Sequence, residues 1–277
     1  MLWSIFKNKP NSKHSHNNIA FSIATDPGCL REANEDNFYA VGIGCKPQGK
    51  YSFNGKFNCD KISFFAVFDG MGGESYGEDA SRISAETLGE FYNAIVRRRV
   101  KETDIEAIIV RFIAAANGRI CEMISQRRCK RSGCTMAMVV LYEDNVYAFS
   151  VGDSRIYCKT ANALKQISED QTLAVKKLKA NIYTEDEART SSDAHKLTSY
   201  IGVDDRGIGV SYRSYKPFRL SDSTLLLCSD GLTDMCSDEE ILAVLSGKIG
   251  SPAEKLVRAA KENGGEDNIT CIVINAE

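Results

Sequence analysis

The side chains best suited to chemistry in this sequence are carboxylates gathered in five short segments, most of them beside glycine. They are Glu35-Asp36-Asn37, Asp69-Gly70-Met71-Gly72-Gly73, Gly152-Asp153-Ser154-Arg155, Ser229-Asp230-Gly231 and Gly264-Gly265-Glu266-Asp267-Asn268. Asp69 and Asp230 close the apolar runs Ser63–Phe68 and Thr224–Cys228. A carboxylate in that place is held by a rigid element yet points out of it, and the adjacent glycine lets an ion or a phosphate approach the backbone. One Asp-Gly is ordinary turn chemistry; five acidic segments at strand ends of one chain are another matter. If they converge, their repulsion in a partly buried site requires cations to offset it. Hard oxygen donors select Mg²⁺ or Mn²⁺ rather than zinc. The three histidines are His14 and His16, in a polar leader, and His195, which leaves little room for a histidine-built metal site or triad.

The elements that must position these turns are legible from periodicity. Strands are expected at 19–24 and 37–43, around a turn at Asp26-Pro27-Gly28. Asn54-Gly55 reads as the tip of a small hairpin within 51–57. The continuous apolar run 62–68 reads as a buried strand. Ala80, Ile83, Thr87, Leu88, Phe91 and Ile95 recur at helical spacing. So do Ile105, Ile108, Ile109, Phe112, Ile113, Ala116, Ile120 and Ile124, with Asp104 placed to cap that second helix. Strands are expected at 135–141, 146–151, 155–159, 207–212 and 224–228, helices near 237–246 and 252–262, and a last strand at 268–274. Residues 168–206 are polar and read as a surface excursion. With no linker, repeat or composition break, the expectation is one α+β domain over 19–277 behind a flexible polar leader, 1–18.

Bulk properties narrow the function classes. The 277 residues are 43% hydrophobic and 26% charged, with a formal charge of −2 and a pI near 6.0. Nothing in that balance draws the chain toward nucleic acid or an anionic membrane. Arg97-Arg98-Arg99 and Arg127-Arg128-Cys129-Lys130-Arg131 fall where the two long helical patterns end, and cations there complement the helix dipole. Ten cysteines occur, none in a C-x-x-C pair and most inside apolar runs. They read as free thiols in a reducing compartment and not as nucleophiles. No apolar run approaches 18 residues, and the apolar start is too short for a signal-peptide core, so a cytoplasmic protein without a membrane partner is expected.

Taken in order, the motifs resemble those of the metal-dependent type 2C protein phosphatases, in particular the bacterial branch, over roughly residues 19–276. Arg31-Glu-Ala-Asn-Glu35-Asp36-Asn37 is similar to the first motif. Phe68-Asp69-Gly70-Met71-Gly72-Gly73 with Gly77-Glu78-Asp79-Ala80-Ser81 is similar to the second, and Ser132-Gly133-Cys134-Thr135 to the stretch before a central strand. Val151-Gly152-Asp153-Ser154-Arg155, Cys228-Ser229-Asp230-Gly231-Leu232-Thr233-Asp234 and Glu266-Asp267-Asn268-Ile269-Thr270 complete the series. The resemblance implies a four-layer αββα sandwich, two stacked antiparallel β-sheets flanked by helices, with a metal site at one edge. It implies that Asp69 bridges two Mn²⁺ or Mg²⁺ ions, that the Gly70 carbonyl completes one, and that Asp230 and Asp267 ligate the other. Asp36 would contribute directly or through water, with Glu35 beside it. Asp153, with Asp230, would hold a third, weaker position, and Arg31 would grip the substrate phosphate with its planar fork.

The implied reaction is hydrolysis of phosphoserine and phosphothreonine on proteins by a hydroxide activated between two divalent ions. The ions and Arg31 would offset charge on the phosphoryl oxygens. The partners would be proteins phosphorylated by a Ser/Thr kinase, and the chain is expected to act as a monomer. There are departures. Met71 stands where some members carry a proton-donating histidine, Glu74 where a histidine often follows the glycines, and Gln171 where one is expected after Asp170. The excursion 168–206 resembles the family's flap through Thr184-Glu-Asp-Glu-Ala188 and Leu197-Thr198-Ser199-Tyr200-Ile201-Gly202. Within it His195 reads as an exposed loop histidine, with a substrate contact as the other reading. Two other function classes fit parts of the pattern. A catalytically silent phosphatase-like binding module is opposed by retention of Asp36, Asp69, Asp230 and Asp267. A metal nuclease is opposed by the near-neutral charge and the lack of a basic aromatic groove.

Overall fold

The computed structural model describes residues 18–44, 49–58, 62–72, 76–96, 98, 100–161, 163–204, 209–220, 223–247 and 250–276. Of the features read from the sequence, the leader as far as residue 17, Cys45, Cys59, Gly73, Glu74, Arg97 and Arg99 lie outside the described residues. The first half of the chain forms β1 (Asn18–Asp26), β2 (Asn37–Ala40), β3 (Ile43–Gly44), β4 (Tyr51–Asn58), β5 (Ser63–Phe68), β6 (Gly70–Gly72), α1 (Tyr76–Ile95) and α2 (Ile105–Arg127). Then come β7 (Ser132–Cys134), β8 (Met136–Tyr142), β9 (Asn145–Val151), β10 (Arg155–Lys159), β11 (Leu164–Gln166), α3 (Leu173–Lys179) and α4 (Glu185–Thr190). The last part holds β12 (Arg213–Ser214), β13 (Phe218–Arg219), β14 (Thr224–Cys228), α5 (Asp230–Thr233), α6 (Asp238–Ser246), α7 (Pro252–Glu262) and β15 (Ile269–Ala276).

Two antiparallel sheets carry most of these strands. One runs β11-β10-β14-β15-β1-β4, the other β12-β9-β8-β5-β2-β3 with β13 also on β9, and β6 and β7 form a separate ribbon. The apolar run of β5 explains the layering, because all six of its residues are buried. Phe64, Ala66 and Phe68 pack under α1 and α2 with Leu88, Ile109 and Phe112. Phe65 and Val67 face the other way and meet Phe38, Val139, Leu225, Leu227 and Ile272 between the sheets. On the far side, Leu226 and Val273 pack against Ile241 of α6 and Leu256 and Ala260 of α7. The result is the expected α/β/β/α stack. The chain traces one buried stripe along α2 through Ile105, Ile109, Phe112, Ala116, Ile120 and Met123, the spacing of a one-faced helix. Among the described residues no helix is long and apolar enough to cross a membrane.

Three local expectations are corrected. Residues 51–57 are no hairpin: β4 is one continuous strand paired with β1, and Gly55 lies opposite Phe21. A Cβ on Gly55 would stand 2.7 Å from the rings of Phe21 and Phe53, so this glycine makes room for aromatic packing instead of turning the chain. The two-residue hairpin is at Val41-Gly42, where both φ angles are positive (44° and 81°) and β2 turns back into β3. That splits the single strand expected at 37–43. Asp104 does not cap α2 with its side chain. Its carboxylate accepts the Lys101 amide at 3.1 Å and closes a 3-10 turn, Glu102–Asp104, that runs into the helix. In place of a strand over 207–212, the described residues 209–212 join no sheet, and the short β12 and β13 dress the β9 edge.

Phe112 ties the helical layer to the site, because its ring meets that of Phe68, the residue before Asp69, with centroids 6.2 Å apart. Phe112→Ala is expected to lower unfolding stability by about 3–5 kcal/mol, read as a shifted urea midpoint at unchanged slope.

Candidate metal and phosphate site

Antiparallel register carries the acidic segments to one edge of the sandwich. Asn37 pairs with Phe68, which sets Asp36 beside Asp69. Arg155 pairs with Cys228, which sets the Asp153 turn beside Asp230. Cys228 pairs with Cys271, bringing the start of β15 and Asp267 to the same place. Each carboxylate thus sits where one strand ends and its neighbour begins.

Polar contacts fix these turns. The Thr135 amide donates to the Asp69 carbonyl at 2.8 Å, and the Asp69 amide donates to Thr135 Oγ1 at 3.2 Å. Ser229 Oγ donates to Asp36 Oδ2 at 2.7 Å and accepts the Thr270 amide at 2.9 Å. Asn268 is a hub: its Oδ1 accepts the Glu35 amide at 2.7 Å, while Nδ2 donates to the carbonyls of Pro27 (3.0 Å) and Ala33 (2.9 Å). Two glycines are required by close approach. A Cβ on Gly70 would lie 2.3 Å from the Gly77 carbonyl oxygen and 2.4 Å from that of Glu35. One on Gly231 would lie 2.1 Å from the Asn268 carbonyl oxygen.

The electrostatics of this edge are those of negative charge held against itself. Burial, followed by the charges of Asp230, Asp36 and Asp153, pushes the Asp69 carboxyl well above its usual range. Asp230 is raised too, first by burial, with the neighbouring Asp69 pulling the other way and the Asp267 charge adding to the rise. Burial also lifts Asp36, to about 7, against the opposing hydrogen bonds from Thr270 and Ser229. Asp153 rises well above its usual range, first through burial and then through Asp230 and Asp170. Glu35 rises through burial, with Arg31 pulling the other way. Asp267 faces Asp36 and Asp230, and its Oδ2 accepts Arg31 Nη2 at 2.8 Å. The donor set therefore fits hard divalent cations: several carboxylates, too close to be ionised together, with no thiolate among them.

Arg31, Glu35, Asp36, Asp69, Gly70, Asp153, Asp230 and Asp267 are thus brought together. Two further residues join them. Asp234 lies one helical turn after Asp230, and burial with the Asp230 charge lifts it to about 6; in the sequence it stands only as the last residue of the Cys228–Asp234 motif, with no role assigned to it. His195 is exposed, as expected of a loop histidine, yet it does not stand apart from the acidic edge. Its nitrogen and carboxylate oxygens of Asp230 and Asp234 lie within 4.8 Å of one another. Asn268 was legible only as part of a motif, because its partners are spread over residues 27–35. Gln171, a departure from the resemblance, is a brace. Its Oε1 accepts the Gly152 amide at 2.8 Å and its Nε2 donates to the Ser211 carbonyl at 3.1 Å, pinning the Asp153 turn to the excursion.

The sequence profile of protein phosphatase 2C matches residues 53–271. The chain belongs to the protein phosphatase 2C family. It is 30% identical over 255 residues to the serine/threonine phosphatase stp of Listeria innocua, covering 90% of this chain and 93% of that protein. In fold it is similar to the serine/threonine phosphatase of S. agalactiae (TM-score 0.77, 26% identity, 94% of this chain and 100% of that one). It is also similar to Stp1 of Staphylococcus aureus (TM-score 0.79, 26% identity, 93% and 94%). The family profile begins after Arg31, Glu35 and Asp36, so the case for those three rests on their place at this edge.

The raised carboxyls make ion-free stability depend on pH with a definite sign. Asp36 and Asp234 have folded pKa values of about 7 and about 6, above the ordinary 3.8, so the folded state keeps protons that the unfolded chain releases. Their contribution is present below pH 4 and is lost as pH rises through 6 and 7, by up to about 1.4 kcal/mol per pH unit per proton. Asp193 is held below its ordinary range by Lys177, Lys196 and Tyr183, and its opposite effect falls at more acid pH. In a chelator, the melting temperature is expected to fall between pH 4 and 7, and added Mn²⁺ is expected to restore it most at the upper end. A chelated protein whose stability rises across that window contradicts this.

Proposed function

We propose that this phosphatase hydrolyses phosphoserine and phosphothreonine on proteins at the acidic edge, opposing a Ser/Thr protein kinase. The observation that carries the reading is the convergence of Asp36, Asp69, Asp153 and Asp230, with Asp267 beside them, in an environment that keeps those four from ionising together. Asp69, the Gly70 carbonyl, Asp230 and Asp267 would hold two Mn²⁺ or Mg²⁺ ions, with Asp36 assisting and Asp153 serving a third. Bound there, such ions supply a hydroxide nucleophile near neutral pH and offset charge on the phosphoryl oxygens.

The chain's own groups do the rest. Arg31, with one nitrogen on Asp267 and its side chain 55% exposed, offers its remaining N–H donors to two phosphate oxygens. Ser229 and Asn268 hold Asp36 and the Glu35 backbone in place, so the carboxylates need little rearrangement when charge develops on the substrate. Met71 has no proton to give a leaving serine or threonine oxygen. Residues 19–277 form the catalytic domain, and 168–206 is a flap that adjoins it through Gln171 and sets target choice. The chain would act as a monomer without a membrane partner, and a reducing compartment such as the cytoplasm accords with the eight described cysteines, all of them free thiols.

The test is hydrolysis of a phosphothreonine peptide by the full chain, with and without Mn²⁺. Wild-type activity is expected to require the ion, and Asp69→Asn is expected to lose at least about a hundredfold. Ion-independent hydrolysis, or an unaffected Asp69→Asn, defeats the reading. Absence of hydrolysis altogether favours a silent binding module.

A further inference from the structure

We propose that His195 of the flap is a nitrogen ligand to a divalent first-row transition-metal ion held together with Asp230 and Asp234, so that loading this position fastens the flap to the catalytic edge. The inference rests on the phosphatase reading and deepens it by adding a donor of a different chemical kind.

Ligand atoms of His195, Asp230 and Asp234 lie within 4.8 Å of one another. Two donors at about 2.1 Å from one ion stand roughly 3 Å apart when adjacent and about 4.2 Å only when opposite, so the three must close by at most roughly 1–2 Å, a reach the exposed imidazole can cover. His195 Nδ1 is 3.7 Å from Asp234 Oδ2, too far for a hydrogen bond. A simple ion pair between those two would leave the neighbouring carboxylates uncompensated. Asp153 is the independent sign of a cation. It is 9% exposed and the charges that bear on it, those of Asp230, Asp170 and Asp234, are all negative.

The flap presents His195 from a fixed base. Two residues earlier, Asp193 is buried and accepts Lys177 Nζ (2.5 Å), Lys196 Nζ (2.8 Å) and the Tyr183 hydroxyl (2.9 Å). The imidazole itself is 64% exposed, free to move the short distance to an ion. An imidazole within a carboxylate set disfavours Mg²⁺ and shifts preference toward first-row transition ions. It also makes flap position and ion loading a linked pair, since a ligand common to both stabilises the closed arrangement.

Pulsed electron paramagnetic resonance of the full chain loaded with Mn²⁺ tests this directly. Wild type is expected to show the ¹⁴N coupling of a directly bound imidazole. His195→Ala, an exposed substitution that leaves the fold intact, is expected to abolish it. The same substitution should weaken one Mn²⁺ affinity by at least about tenfold in calorimetric titration. Mn²⁺ should also slow limited proteolysis within 168–206 in wild type but not in the variant. No coupling in wild type, or coupling that persists in His195→Ala, overturns the proposal and leaves an ion pair only. Phosphopeptide hydrolysis on the same samples separates the two readings. Hydrolysis without coupling defeats the His195 ligand alone; coupling without hydrolysis defeats the phosphatase reading alone.

Discussion

Mutual repulsion among carboxylates at one edge of a β-sandwich is the constraint on which this structure turns. Asp36, Asp69, Asp153 and Asp230 are all raised above their ordinary pKa, with burial the first cause in each. A protein can keep such an arrangement only if the surrounding frame is rigid enough to resist it. The frame here is antiparallel register. Strand ends and starts abut at fixed pairs, Asn37 with Phe68 and Cys228 with Cys271, so the loops bearing the acids have little freedom to spread. The hydrogen bonds of Ser229, Thr135 and Asn268 remove most of what remains.

The same frame explains why the apolar layers are so continuous up to the site. Phe68 and Cys228 are fully buried, and the chain passes within one or two residues from that dry interior to Asp69 and Asp230. The low polarisability of the interior strengthens every charge interaction at the edge. It makes the ion-free state costly and a cation-bound state correspondingly favoured.

Much of this was legible in the sequence, for reasons that differ by element. β5 and α2 were clear because their apolar residues repeat with the period of one geometry and no other. The acidic turns were clear because five such segments recur at strand ends of one chain, although any single Asp-Gly is ordinary turn chemistry. The hairpin was misplaced because Asn54-Gly55 has the composition of a turn, while the glycine actually clears space for the Phe21 and Phe53 rings. The turn at Val41-Gly42 was hidden because a β-branched residue rarely takes positive φ. At the site, Asp234 stood at the end of the Cys228–Asp234 motif, but nothing local to it marked a role. The placement of His195 depends on how the flap folds back, which no local pattern encodes.

Gln171 and His195 bring residues 168–206 to the acidic edge, the first through its bond to the Gly152 backbone and the second by its place beside Asp230 and Asp234. Both links converge on the carboxylates, so the central claim is that these side chains hold cations. The most direct measurement is anomalous diffraction at the manganese edge from crystals grown with Mn²⁺. The account predicts peaks within ligand distance of Asp69, Asp230 and Asp267. Well-ordered crystals with manganese in the medium and no peak among those carboxylates would contradict it.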